Sequence, residues 1–106
     1  VEKVLARVND ADTTLTFGQW LDKGRRWWKA RAARVIECDL LFVLNAENKV
    51  MAVGRIEGVM KDLDSGSGRI SIEVRAEEDN EWLGKTIERY TSRNPVVYVS
   101  EIREAK

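Results

Sequence analysis

The sequence predicts an α+β domain: a curled, mainly antiparallel sheet that tends toward a small β-barrel, with two short helices laid against it. Three observations carry that expectation. Residues 39–63, DLLFVLNAENKVMAVGRIEGVMKDL, hold two apolar runs around the polar turn NAENK, which is the pattern of a β-hairpin. Gly54 and Gly58 interrupt the second run, and glycine within a strand marks a bulge, a bend or a close backbone approach, as where small barrels turn corners. Two amphipathic stretches, one opening near Thr14 and Thr16 and one at AEEDN, supply the helices. With 106 residues the chain reads as a single domain, 1–106, able to bury one modest core.

Each element follows in order. KVLARV, near the start, mixes β-branched and long apolar residues and reads as a short strand. NDADTT breaks it, and Thr14 or Thr16 can cap a helix through TFGQWLDK, where Phe17, Trp20 and Leu21 share a face. Continuing that helix to Arg34 would place Gly24 mid-helix, at about 1 kcal/mol, and Arg31 in the apolar stripe. The helix is therefore expected to stop at Lys23 with Gly24 as a left-handed cap. Extended chain follows, so that Trp27 and Trp28 point to opposite sides.

ARVIEC is open between connection and strand. Leu40 to Leu44 is almost continuously apolar, as in a strand covered on both faces. DLDSGSGR is a loop, and RISIEVR alternates as a half-buried strand. AEEDN, with acids at its positive end, opens a second helix whose buried face is Trp82, Leu83, Thr86, Ile87 and Tyr90. SRNP ends it, and VVYVSEI is the closing strand.

Composition narrows the chemistry. Histidine is absent, which removes the commonest general base, the usual zinc pairings and any ordinary serine or cysteine triad. No metal site and no cofactor are expected. The one cysteine, Cys38, cannot form an internal disulfide and reads as a small core residue. No apolar run is long enough to span a bilayer and the first residues lack a signal-peptide core, so a cytoplasmic protein without membrane contact is expected.

Charge is balanced overall, with 18 basic and 18 acidic residues, but unevenly distributed. Between Asp22 and Arg34 lie Lys23, Arg25, Arg26, Lys29, Arg31 and Arg34 against one acid. From Glu57 to Glu88 acids predominate. A local basic patch of this kind attracts phosphate more strongly than the net charge suggests.

The stretch LDKGRRWWKAR is similar to the short motif of the ASCH domains, a branch of the PUA-like barrel superfamily. Their pattern is a short helix, Gly-x-Lys-x-x-Glu-x-Arg, and an apolar strand introduced by an acidic turn. Gly24, Arg26, Lys29 and Arg31 occupy the motif positions here, followed by CDLLFVLN. VMAVGRIEGV and VVYVSEI resemble the family's next and terminal strands. Arg26 replaces the family's lysine and Lys29 its glutamate. Guanidinium does not become a neutral base, so both changes favour holding an anion over chemistry.

The resemblance implies a PUA-like barrel with a cleft between the first helix and the sheet that binds RNA or a modified base. It also implies an alternative, an amidohydrolase or ribonuclease with Arg26, Lys29 and Asp79 around the substrate. The residues support binding in their own right. Guanidinium groups hold phosphate bidentately, and a tryptophan face stacks on a base for about 1–3 kcal/mol. The expected ligands of RNA or another nucleic acid are Arg25, Arg26, Trp27, Trp28, Lys29, Arg31 and Arg55. Against this stand ordinary roles: Trp20, Trp28 and Trp82 as core filler, Arg25 and Arg34 as partners of acids such as Glu37 and Asp39. A protein-interaction or inhibitor module, its basic patch meeting an acidic protein partner, is the other alternative.

Overall fold

Residues 2–9, 14–25, 28, 31–61, 68–88 and 95–105 are described by a computed structural model of the chain. The elements run β1 (Glu2–Arg7), α1 (Phe17–Gly24), α2 (Ala32–Ile36), β2 (Cys38–Leu44), β3 (Val50–Lys61), β4 (Ile70–Ala76) and β5 (Val96–Val99). The strands form one five-stranded mixed sheet in the order β4-β3-β2-β1-β5. β1 and β2 are parallel, and the other three neighbouring pairs are antiparallel. The chain is thus α+β, with two short helices and a mainly antiparallel sheet.

The predicted hairpin is β2 and β3. Asn45 closes its turn, its Oδ1 accepting the N–H groups of Glu47 at 2.9 Å and Lys49 at 3.0 Å. β3 outruns β2: the ladder between them begins at Leu40 and Arg55, whereas β3 continues to Lys61 beside β4. A register shift between Ile56 and Gly58 marks a bulge beside one of the two glycines that interrupt this run. At the other, Gly54, an added Cβ would lie 2.8 Å from Val74 Cβ and 3.1 Å from Leu21 Cδ1. At Gly54, Leu21 of α1 and Val74 of β4 leave no room for a side chain.

Continuous apolar character in β2 has the expected cause, since each face meets a core. Leu41 and Val43 face the first, with Val4, Ala6, Trp20, Leu21, Val35, Ala52, Ile72 and Val96, under the helices. Phe42 and Leu44 face the second, with Leu5, Val50, Val53, Ile87 and Val99, packed by Trp82, Leu83 and Ile102. Burying side chains of this size stabilises by about 1.5–3 kcal/mol each. Cys38 is buried in the first core, as expected of a small apolar residue.

α1 begins with a capping box. Gln19 N–H donates to Thr16 Oγ1 at 3.2 Å, while Thr16 N–H donates to Gln19 Oε1 at 2.9 Å. Its end differs from expectation. Gly24 is the last helical residue and Arg25 the cap, right-handed at φ −92°. Glycine is required there by proximity: an added Cβ would lie 2.9 Å from Val43 Cβ and nearer still to its methyl groups. ARVIEC, left open by the sequence, supplies α2 and the first residue of β2.

The larger correction concerns the second predicted helix. Residues 78–79 and 81–84 form turns, not a helix, and Thr86 and Ile87 make isolated bridges. Asn80 Oδ1 accepts the Trp82 N–H at 2.9 Å, a local bond that competes with helix, and Gly84 sits at φ 81°. The segment's backbone then pairs elsewhere: Gly84 N–H with Val50 O and Val50 N–H with Lys85 O, both at 2.9 Å. Trp82, Leu83 and Ile87 still reach the second core, so the apolar spacing reported burial but not conformation. Thr86 is exposed, and Tyr90 lies outside the described residues.

The strand ladder leaves β4 and β5 as the two edges of an open sheet. Isolated bridges Lys49–Thr86 and Ile87–Glu104 run from the start of β3 to the segment after β5, around the second core. Among the described residues no helix is long and apolar enough to cross a membrane.

Candidate nucleic-acid interface

The basic segment after α1 is fixed to the sheet at two described points. Trp28 N–H donates to Ile70 O and Ile70 N–H to Trp28 O, both at 2.9 Å, a reciprocal antiparallel pair on the outer edge of β4. Arg25 O accepts the N–H of Ile72 on the same edge. The Trp28 indole N–H donates to Gly24 O at 2.7 Å, which satisfies a carbonyl at the end of α1. Trp28 is half-buried and packs against the first core, which agrees with its reading as partial filler.

Arg25, expected as a ligand, is committed to the protein. Its guanidinium meets Asp22 Oδ1 at 3.1 Å, donates to Ser71 Oγ at 3.1 Å, and lies 3.7 Å from Glu73 Oε2. Ser71 is the buried polar side chain among the described residues, and Arg25 supplies its partner. The sequence shows the arginine and the serine, but only the docking of this segment on β4 makes them neighbours.

Arg31 precedes α2, is exposed, and makes no ion pair with a described residue. Arg34 is half-buried and partnered within the chain: it donates to Glu2, lies 3.8 Å from Glu37 and stacks 4.8 Å from the Tyr98 ring centroid. Glu37 is one of the acids anticipated for it. The bond to Glu2 holds the Arg34 guanidinium even more firmly protonated than usual. Burial pushes the nearby Cys38 thiol and Tyr98 phenol up. Among the described residues no cluster of three or more His, Cys, Asp or Glu is placed to hold a metal ion.

Arg26, Trp27 and Lys29 lie outside the described residues. Their sequence neighbours Arg25 and Trp28 are the anchored positions.

Arg55 and Asp79 are not brought to this edge. Arg55 pairs with Glu77 at 2.9 Å and stands opposite Arg75, near the far end of β4 from Ile70. Its neighbour Gly54 faces α1, so strand alternation turns Arg55 to the other face of the sheet. Asp79 occupies an exposed turn beyond Ala76. Ile70 and Ala76, six residues apart on β4, are on the order of 20 Å apart. Conversely, Lys61 is in register with Ile70 across β4 and so shares a row with Trp28. The sequence offered no signal for this, because the hairpin register depends on the bulge at Gly58.

No protein-family model, curated protein or solved structure matches the chain.

Proposed function

We propose that the chain is an ASCH-type, PUA-like module that binds single-stranded RNA or a modified nucleotide without catalysing a reaction. Its contact surface is the motif stretch that holds Arg26, Trp27, Trp28, Lys29 and Arg31. One observation carries this reading: the reciprocal backbone pair between Trp28 and Ile70 holds Trp28, a residue of the motif stretch, on the sheet edge. Stacking on an aromatic held in this way loses less conformational entropy when the ligand arrives. Arg31 adds an exposed charge at the segment's end. The bridges Lys49–Thr86 and Ile87–Glu104 support closure of the sheet toward a PUA-like barrel around the second core.

The hydrolytic alternative needs Asp79 beside Arg26 and Lys29. Asp79 follows the end of β4 opposite to the one that anchors Trp28, which favours binding over catalysis. Fluorescence anisotropy with a labelled single-stranded RNA, read across a salt series, tests the proposal. The logarithm of the affinity should fall linearly with log salt, and Arg26→Gln and Lys29→Gln should each flatten the slope by about 0.7. Failure of every single-stranded and duplex oligonucleotide to bind overturns it.

A further inference from the structure

We infer that Lys61 is an additional phosphate contact of this surface, on a strand far from the basic motif in sequence; the inference rests on the nucleic-acid reading above. Ile70 is paired on both sides, with Trp28 through two backbone bonds and with Lys61 through the β3–β4 ladder. Directly paired residues in antiparallel strands project to the same face. Trp28, Ile70 and Lys61 therefore form one cross-strand row. Its centre, Ile70, is buried and apolar, while Trp28 is half-buried and Lys61 exposed. The outer Cα atoms are about 9–10 Å apart, two inter-strand spacings.

Lys61 is available to a ligand. Its side chain makes no ion pair or hydrogen bond with a described residue, unlike Arg25, Arg34, Arg55 and Arg75, each of which meets a carboxylate. β3 has outrun β2 at this point, so no β2 residue stands beside Lys61. An ammonium group on a flexible stem is suited to a phosphate as a point charge that carries no base preference. The row thus places an aromatic on one side of the buried Ile70 and an exposed cation on the other. Base and phosphate of one strand can engage the two ends.

The test compares wild type, Lys61→Gln and Lys85→Gln in anisotropy titrations with single-stranded RNAs of several sequences across a salt series. Lys85 stacks on Trp82, near the opposite end of β3, and serves as the charge control. Lys61→Gln should weaken binding several-fold for every sequence and flatten the salt slope by about 0.7, with Lys85→Gln unchanged. Wild-type binding with an unaltered Lys61→Gln slope overturns the Lys61 assignment and leaves the surface reading standing. An equal loss in Lys85→Gln overturns it too, by assigning the effect to overall charge. No wild-type binding to any oligonucleotide overturns both.

Discussion

Trp28 and Ile70 exchange both of their backbone hydrogen bonds, each at 2.9 Å, so the chain leaving α1 becomes a neighbour of β4 instead of a free loop. Their amide protons should accordingly exchange with solvent far more slowly than that of Glu78, which lies in an exposed turn. Exchange of the Trp28 amide at the rate of an unprotected peptide would show that the segment is not docked.

Gly24 is set by Val43. Gly24→Ala should destabilise the fold by about 1–3 kcal/mol despite alanine's better helix propensity, because the new methyl meets a packed side chain. Val43→Ala alone also destabilises, by removing buried methyl groups. Urea denaturation of the double variant should show a loss clearly smaller than the sum of the two. Strict additivity would deny the contact.

Arg25 is bonded to the buried Ser71, so its removal should cost stability. Arg25→Met strands the buried Ser71 hydroxyl and should destabilise by about 1–3 kcal/mol. With Ser71→Ala already in place, the same change should cost less. A thermodynamic cycle with no coupling between these positions would rule out the bond as a contributor.

Alkaline pH should weaken the fold. Burial raises the Cys38 thiol and the Tyr98 phenol, so the folded chain holds both protons to higher pH than the unfolded chain does. Their contribution is complete below the unfolded thiol's range, about pH 8.5, and is lost as the pH rises through the raised folded values. Urea midpoints should therefore fall from pH 8 to pH 10.5, and less steeply in Cys38→Ala. The native thiol should also react with a disulfide reagent at pH 8 much more slowly than the unfolded one. A midpoint that climbs over that interval would contradict the burial argument.

What the sequence reveals and what it hides divide along physical lines. The hairpin, β1, β4 and β5 were legible, because alternation and turn residues act locally, and the double burial of β2 was written in its unbroken apolar run. Thr16 was one of two residues expected to cap α1 and does so. The stretch after Asp79 misled, since Trp82, Leu83 and Ile87 satisfy a helical spacing that a turn closed by Asn80 satisfies equally well. Gly24 was correctly singled out for the wrong reason, a left-handed cap, because its cause is a β2 side chain that no local pattern reveals. Clustered charge singled out the basic segment, but the partners of the cations depend on strand register, which joins Arg25 to Ser71 and Arg55 to Glu77 and puts Lys61 in one row with Ile70 and Trp28.

Intrinsic tryptophan fluorescence during titration with single-stranded RNA decides whether the proposed surface around Trp28 holds a nucleic-acid strand. Quenching should saturate, should persist in Trp82→Phe, whose ring packs against the second core, and should be lost in Trp27→Phe or Trp28→Phe. Quenching unchanged in both of the latter variants, or absent from the wild type, would contradict the proposed surface.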